Sequence, residues 1–397
     1  MRLYTQETEL ALIHIPLELY SNFIQPILQL LLQSDLQGTN ERNDDDASRP
    51  PNSRDSTLPD LPFVNISVTP IEASIACPRH LATQLFSPIQ ASLPTPVRCQ
   101  VSVTQDDYVV MQVDGEGLDA SQRVLELTSP LALAGISIFF ITTYFSDYIL
   151  VPVRARQQVI KALESRGFAF EENTSSYTTA PTSTYSHRST PSGSSFDLST
   201  IAVPSLPRTP PPTTVSELQT RTFALLQRRN VIPHVDAAIQ LVSCAGRKSS
   251  SGSAASNAAT TNQLQLGLVR ALLARPRFLS LTLTDSEPPS LLLEQRLLPL
   301  FARAGAAAAA DDSVLLGARS ETLVPIVLDL RDLPLEATGI VCGVAARLVG
   351  RTRLGLLDAV EMSYLSTARA GTVMVAEGEL ARAMAALRGW EGDGGQN

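Results

Sequence analysis

An internal repeat constrains the fold of this chain more than any other feature. Residues 136–143 (Ile-Ser-Ile-Phe-Phe-Ile-Thr-Thr) are matched by residues 360–367 (Val-Glu-Met-Ser-Tyr-Leu-Ser-Thr). Each segment is a predicted strand that ends in paired hydroxyls. Each leads after a short turn into a second apolar strand, at 148–151 or 372–375, and then into an amphipathic helix. Repeats of this kind indicate supersecondary units built on one plan.

The order strand–helix–strand–strand–helix recurs about four times along the chain. It is typical of the α+β, ferredoxin-like βαββαβ arrangement, in which helices cover one face of an antiparallel sheet. We therefore expect four tandem ferredoxin-like domains joined by disordered linkers. In the third domain the pattern predicts a strand at 223–226 and a helix with its apolar face over 232–242. The expected domain boundaries are 1–95, 96–172, 215–303 and 320–392.

Three segments have a composition unlike the rest of the chain. Residues 38–59 contain three consecutive aspartates and two adjacent prolines, and are interpreted as a polar loop inside the first domain. Residues 173–214 are dominated by Ser, Thr and Pro, and residues 247–261 by Ser, Ala and Asn. Because such tracts bury too little apolar surface to offset chain entropy, we interpret them as a disordered linker and a Ser/Ala loop of the third domain.

Charge and residue counts narrow the function class. The 397 residues include 31 basic and 39 acidic side chains, a net charge of −8, which argues against binding nucleic acid through its phosphates. Lys161 and Lys248 are the two lysines, and four histidines and four cysteines leave few ways to build a metal site or a nucleophilic pair. The expectation is a non-enzymatic binding or regulatory protein with no cofactor and no metal.

The sequence also bears on the compartment. The first residues lack the charged-then-apolar profile of a signal peptide. The longest apolar stretch, at 131–141, is about eleven residues, which is too short to span a bilayer. We expect a cytoplasmic protein without membrane insertion.

Two segments carry a resemblance to a known family. Residues 131–151 resemble the second ACT domain of the CASTOR-type cytosolic arginine sensors. Residues 337–341 together with 364–367 resemble the fourth. The resemblance implies a divergent or fungal-like member with four ACT domains and a free amino acid bound between the second and the fourth. It also implies a regulatory role upstream of the TOR kinase complex.

The resemblance further implies which residues bind. In the fourth domain, Gly339, Ile340 and Val341 supply backbone contacts where a helix begins, a place that favours a carboxylate because the first N–H groups lack intrahelical partners. Ser137 and Ile138 face them from the second domain. Tyr144 and Asp147 correspond to the family's partner-binding loop. The other expected ligand-binding positions are Thr338, Thr367, Ala368 and Gly371.

The sequence departs from the family at the side-chain end of the ligand. Gly371 stands where the family has the acid that receives a guanidinium, and Ala368 and Ala370 replace neighbouring aromatic residues. A guanidinium buried without a carboxylate is costly, so we expect a ligand other than arginine. A ligand-free interaction scaffold and a regulatory subunit of an amino-acid biosynthetic enzyme stay open as alternatives. The identity of the protein partner and the existence of a homodimer also stay open, as does phosphorylation of the linker.

Overall fold

A computed structural model describes residues 2–32, 63–114, 120–171, 212–247, 254–302, 314–317, 321–349 and 360–388. The expected polar loop at 38–59 and residues 173–211 of the expected linker lie outside the described residues.

The described elements alternate between strands and helices. The helices are α1 (Tyr20–Leu31), α2 (Arg79–Leu81, continued by a π-helical turn at Ala82–Phe86), α3 (Ser87–Ser92), α4 (Thr95–Arg98), α5 (Ala120–Leu133), α6 (Arg156–Glu164), α7 (Val215–Arg228), α8 (Ala254–Leu273), α9 (Ile340–Val349) and α10 (Leu380–Arg388). The strands are β1 (Arg2–Thr5), β2 (Leu10–Ile15), β3 (Val64–Val68), β4 (Ala73–Pro78), β5 (Ser102–Val103), β6 (Tyr108–Asp114), β7 (Phe139–Thr142), β8 (Asp147–Pro152), β9 (Ala169–Glu171), β10 (His234–Val235), β11 (Leu241–Gly246), β12 (Leu279–Leu283), β13 (Ser290–Glu294), β14 (Leu315–Leu316), β15 (Leu323–Asp329), β16 (Met362–Ser366) and β17 (Ala370–Ala376).

Twelve of these strands form one closed antiparallel sheet. Its order is β2–β4–β3–β12–β13–β11–β15–β17–β16–β7–β8–β6, and β6 pairs back with β2. The other described strands pair alongside this ring, among them β1, which lies antiparallel to β6 and parallel to β9.

The prediction of four tandem ferredoxin-like domains is therefore wrong. The strand–helix order along the chain predicts four separate sheets, but strands from all four regions join the same closed sheet. The physical reason is that a small separate sheet leaves edge strands with unpaired N–H and C=O groups, and these edges pair with each other instead. Sequence periodicity does not reveal which strand edges will meet.

Apolar side chains on the two faces of the sheet form three main clusters. One cluster draws on strands all round the sheet, and includes Leu12, Tyr108, Tyr148, Leu241 and Leu365. The other two lie between the sheet and its helices. We call the first of them, with β2–β5, β11–β14, α1–α4 and α8, half A. The second, with β1, β6–β10, β15–β17, α5–α7, α9 and α10, is half B.

The repeat identified in the sequence is confirmed at the level of local structure. β7 and β8 form a hairpin followed by a 3₁₀ turn (Val153–Ala155) and α6, and β16 and β17 form a hairpin followed by a 3₁₀ turn (Glu377–Glu379) and α10.

Three local assignments in the third region are wrong. Residues 232–242, predicted as a helix, instead contain β10 and the start of β11. Residues 223–226, predicted as a strand, lie in α7, whose buried residues Leu218, Thr222, Phe223 and Leu226 follow helical spacing. Thr214 caps this helix: its Oγ1 accepts from Glu217 N (3.2 Å), while the Glu217 carboxylate accepts from Thr213 N (2.9 Å). The predicted Ser/Ala loop at 247–261 instead contains the first turns of α8 from Ala254 onward, because alanine has the highest helix propensity.

Candidate functional site

A cavity of about 60 Å³, here called cavity B, lies in half B between two parts of the chain that are far apart in sequence. One wall comes from α5 and the segment leading into β7. The opposite wall comes from the start of α9, the segment before it, and the β16–β17 hairpin. The lining residues are Thr128, Ala132, Ile136, Ile138, Phe139, Leu330, Leu333, Pro334, Leu335, Ala337, Gly339, Ile340, Val341, Cys342, Tyr364, Ser366, Thr367, Ala368 and Ala370.

The start of α9 is positioned by close packing against α7. Gly339 has φ +81°, and a Cβ at this position would lie 2.7 Å from Leu218 Cδ1. Thr222 Oγ1 donates to the Gly339 carbonyl (3.3 Å), which also accepts from Gly343 N (2.8 Å). Glycine is thus favoured at 339 by its backbone conformation, and a side chain there would also displace Leu218. A substitution there would report on folding rather than on ligand binding.

Strands β7 and β16 meet around a local two-fold axis beside the cavity. Leu365 pairs with Ile141, and on either side a hydroxyl bridges the strands: Phe140 N donates to Ser366 Oγ (3.0 Å) and Tyr364 N donates to Thr142 Oγ1 (3.1 Å). The two hydrogen bonds are equivalent under the sequence repeat, because Phe140 corresponds to Tyr364 and Thr142 to Ser366. Each feature of one copy can therefore be compared with its counterpart in the other.

The first comparison concerns the helix starts. On the far side of the axis, Ser121 of α5 fills the space next to the incoming strand: its Oγ donates to Val360 O (2.7 Å) and accepts from Met362 N (2.7 Å). The repeat makes Ile136 and Ile138 the counterparts of Val360 and Met362. Both isoleucines line cavity B, which separates them from α9. A ligand in the cavity can therefore take the place that the Ser121 hydroxyl takes in the other copy.

The second comparison explains Gly371. A Cβ at this position would lie 2.4 Å from Tyr364 Oη. In the other copy the ring is Phe140, which has no hydroxyl, and the counterpart of Gly371 is Asp147. The two copies thus exchange a phenol hydroxyl for a carboxylate. The Tyr364 side chain closes the place where the resembled family has its acid.

The turn that follows β16 is anchored by half A. Glu72 is fully buried, and its Oε1 accepts from Thr367 Oγ1 (2.7 Å) and Arg369 N (2.5 Å), while its Oε2 bonds to His14 Nδ1. Nearby, Ala368 N donates to Ser74 Oγ (3.1 Å). Glu72 and Ser74 therefore fix the orientation of two cavity-lining residues, Thr367 and Ala368.

The wall of cavity B is mostly apolar, with a few hydroxyl groups, and carries no charged side chain among the described residues. Burial raises the pKa of the Cys342 thiol to about 11, against a smaller lowering by its hydrogen bond with Thr128, so the thiol is protonated at neutral pH. Burial likewise raises the pKa of Tyr364. The ion pair of Asp329 with Arg331 (2.6 Å) flanks the lining residue Leu330 in sequence, and the two charges offset each other. The cavity therefore favours an uncharged side chain.

The structure brings most of the expected ligand-binding residues together. Ile138, Gly339, Ile340, Val341, Thr367 and Ala368 line cavity B, whereas Ser137, Thr338 and Gly371 are outside its wall. Of the two expected partner-binding residues, Tyr144 is 39% exposed and stacks edge-to-face on the exposed Phe145. Asp147 is buried and paired with Arg123, and burial raises its pKa, so its carboxylate is not available at the surface.

Several residues of the site escaped the sequence analysis. Tyr364, Thr128 and Cys342 line the cavity, and Glu72 and Ser74 hold its turn. Glu72 offered a signal, since it is an acid directly preceding a buried strand. Thr128 and Cys342 offered none, because each lies on an amphipathic helix where small polar residues are common.

Comparison with known proteins identifies one region. Residues 103–165 match the ACT domain family, so the chain contains an ACT domain there. The match covers the second of the four regions for which an ACT domain was expected, and includes α5, β7 and the adjoining wall of cavity B. An ACT domain is consistent with a regulatory, amino-acid-binding role.

No curated protein matches the chain. Among solved structures it is similar to the Agobacterium tumefaciens protein Atu0741, with 17% identity, a TM-score of 0.27, and coverage of 45% of this chain and 97% of that one. It is also similar to aspartate kinase from Synechocystis, with 11% identity, a TM-score of 0.30, and coverage of 100% of this chain. The chain spans 57% of that kinase. TM-scores this low carry no argument about function.

The described residues lack two features. None of their helices is long and apolar enough to cross a bilayer. No group of three or more His, Cys, Asp and Glu side chains in this part of the chain is placed to hold a metal ion.

Proposed function

We propose that the protein is a non-enzymatic regulator that binds a small, uncharged amino acid in cavity B. The observation that carries the proposal is the meeting of Ile138, Gly339–Val341 and Thr367–Ala368 around one cavity, next to an ACT domain. The sequence resemblance to CASTOR-type sensors, and with it a place upstream of a TOR kinase, forms part of the proposal and rests on residues 131–151 and on residues 337–341 together with 364–367.

The main-chain end of an amino acid fits the start of α9. The first N–H groups of a helix lack intrahelical partners, and the helix dipole places partial positive charge there, so a carboxylate is favoured. Across the cavity lie Ile136 and Ile138. Their counterparts in the other copy, Val360 and Met362, bond through their backbone to the Ser121 hydroxyl. An ammonium or carboxylate of the ligand meets the same hydrogen-bonding need.

Size and charge restrict the side chain. A volume of about 60 Å³ has room for on the order of five water-sized groups, the scale of a small amino acid rather than of arginine. Among the described residues the wall offers no carboxylate to a guanidinium, and Tyr364 closes the position next to Gly371. Burying a cation there without a partner would be costly.

Regulation follows from the position of the cavity. Its walls come from α5–β7 on one side and α9–β16 on the other, so a bound ligand favours the arrangement in which both walls contact it. A protein partner that binds this arrangement preferentially would bind more tightly when the ligand is present. The partner would raise the affinity for the ligand by the same factor. The exposed Tyr144–Phe145 pair, at the turn between β7 and β8, is the surface we propose for that partner.

The test is isothermal titration calorimetry with alanine, valine, leucine and arginine, on the wild type and on Ala368→Phe. Because the added ring fills cavity B, we expect it to lower affinity for the bound amino acid by at least about tenfold. Tyr144→Phe is the control. Tyr144 is the counterpart of Ala368 in the turn between β7 and β8, and the variant should bind the amino acid as the wild type does. Micromolar binding of arginine by the wild type, or full affinity in a folded Ala368→Phe, would contradict the proposal.

Selectivity for the ligand's side chain can be tested by giving the second copy of the repeat the residue combination of the first. Tyr364→Phe/Gly371→Asp reproduces the Phe140/Asp147 combination next to the cavity. The new carboxylate should raise affinity for arginine relative to the wild type, since a buried guanidinium–carboxylate pair is then possible. If neither protein binds any amino acid while a partner binds equally with and without them, the scaffold alternative is favoured.

A further inference from the structure

A second cavity, cavity A, lies in half A and has a volume of about 360 Å³. Its wall combines the segment between β2 and α1, the end of β3, the segment before β11, and the segment between α8 and β12. The lining residues that matter here are the apolar Leu17, Tyr20, Val68 and Ile239 and the charged Arg275 and Glu18. Its size falls in the range of small-molecule sites, about 300–1,000 Å³.

Cavity A occupies in half A the position that cavity B occupies in half B. Each lies where the segment between a helix and the next strand faces the start of a helix from another region: α5 to β7 facing α9 in half B, and α8 to β12 facing α1 in half A. The two cavities differ in charge. The wall of cavity B carries none among the described residues, whereas Glu18, Asp236, Arg275 and Arg277 line cavity A.

Arg275 has a backbone conformation that an arginine rarely adopts. It lies two residues after the end of α8 with φ 49°, and its counterpart two residues after the end of α5 is Gly135, with φ 69°. Helices commonly end with a residue in this left-handed region, and glycine fits there without strain. Strain of this kind is concentrated at functional sites, so an arginine at this position points to a use for its side chain.

The contacts of Arg275 and Arg277 show which of the two guanidinium groups is available to bind a ligand. Arg277 Nη2 forms an ion pair with Asp236 Oδ2 (2.7 Å), so these charges offset each other. Arg275 Nη2 donates to the neutral hydroxyl of Ser21 (2.6 Å). Since a guanidinium has five N–H donors in a fork that matches a carboxylate, Arg275 can hold an anion while keeping this bond.

We propose that cavity A binds a small carboxylate with an apolar body, its carboxylate on Arg275 and its body against Leu17, Tyr20, Val68 and Ile239. The site is separate from cavity B and does not depend on the function proposed for it. Free amino acids and simple carboxylic acids share this chemistry. Glu18 at the rim distinguishes them, because it can receive an ammonium group.

The experiment titrates the full chain with 4-methylpentanoate, 4-methylpentanamide and leucine by calorimetry, with Ala368→Phe in the background so that cavity B is closed. The carboxylate should bind, and the uncharged amide should bind at least about tenfold more weakly, because it lacks the charge that Arg275 recognises. Leucine binding more tightly than 4-methylpentanoate would identify an amino acid as the ligand, and the reverse order a simple carboxylic acid.

Arg275→Gly removes the guanidinium and relieves the backbone strain, so the variant should stay folded and lose at least about tenfold in affinity for the carboxylate. Asn230→Gly is the matched control, because Asn230 (φ 52°) ends α7 in the same conformation and is not part of the cavity wall. It should bind as the parent does. Equal affinity for acid and amide, unchanged affinity in Arg275→Gly, or no binding of the acid at millimolar concentration would each overturn the proposal.

Discussion

The two halves of the molecule join their distant strands in different ways. In half A, β3 and β12 pair over five residue positions, and Asn65 Nδ2 adds bonds to Ser280 Oγ (3.2 Å) and Thr282 Oγ1 (3.0 Å). In half B, β7 and β16 pair at one position, and two side-chain hydroxyls complete the contact. The A junction is a continuous part of the sheet, while the B junction depends on a few side chains.

This difference teaches where the molecule can respond to a ligand. Regions with few backbone hydrogen bonds open at lower free energy than continuous sheet. Cavity B lies beside the weaker junction and shares Ser366 with it. Binding across this junction can therefore change the contact between the two parts of half B, whereas in half A β3 and β12 are joined by five backbone pairs.

The strongest test of the comparison targets the carboxylates that link the halves. Glu72 is fully buried with three partners, and Glu287, which is half-buried, accepts from Gln112 Nε2 (2.8 Å) and Tyr148 Oη (3.0 Å) and bonds to Ser146 Oγ. Glu72→Ala should lower the free energy of unfolding by about 3–5 kcal/mol, since it leaves buried partners unpaired. Glu287→Ala should cost about 1–3 kcal/mol, because water can replace part of what is lost.

Urea denaturation, followed by circular dichroism, measures both losses. Glu72→Ala should also weaken amino-acid binding in cavity B, since the Thr367–Ala368 turn loses its anchor. Equal losses in the free energy of unfolding for Glu72→Ala and Glu287→Ala would show that the deeper burial of Glu72 does not make its contacts more stabilising.

A smaller effect is expected from removing one hydroxyl in each junction. Ser366→Ala leaves Phe140 N without its acceptor and should cost about 1–3 kcal/mol. Ser280→Ala should cost about 0.5–1.5 kcal/mol, because the backbone pairs of β3 and β12 persist and Asn65 keeps its bond to Thr282. The same denaturation series measures both. A larger loss in half A would reverse the comparison.

The smallest effect concerns one buried thiol from each half: Cys342 in half B and, of the buried Cys77 and Cys244 in half A, Cys77. At pH 8.5 the exposed Cys99 should react first with iodoacetamide, then Cys342 beside cavity B, and Cys77 in half A last, as mass spectrometry of timed samples would show. Burial raises the pKa of Cys77 to about 12 and that of Cys342 to about 11. Faster labelling of Cys77 than of Cys342 would mean that half A opens more readily.

The raised thiol pKa values also predict a pH dependence with a definite sign. The folded pKa of Cys342 lies above its ordinary 9, so its contribution to stability is complete below pH 9 and is lost as the pH rises to about 11. Cys342→Ala should show less loss of stability over that interval than the wild type does.

Part of the fold could be predicted because it is local. The hairpins that follow residues 136 and 360 were visible as a repeat, and six of the nine expected ligand-binding residues line one cavity. Other local assignments failed for local reasons. Residues 223–226 form an apolar run too short to distinguish strand from helix, and the capping interaction of Thr214 with Glu217 was the signal that would have resolved it.

Outside the third region, the sequence by itself determined where the main strands and helices alternate. It also determined where the repeat lies, and that no acid was left at 371 for a guanidinium. These properties depend on side-chain spacing and residue type along a short stretch of chain. The tertiary structure alone decided that the strands close into one sheet and that Tyr364 fills the space at Gly371. It also decided that Glu72 reaches the turn beside cavity B. Each of these is a contact between residues distant in sequence, and such contacts are set by which sheet edges and side chains meet when the chain packs.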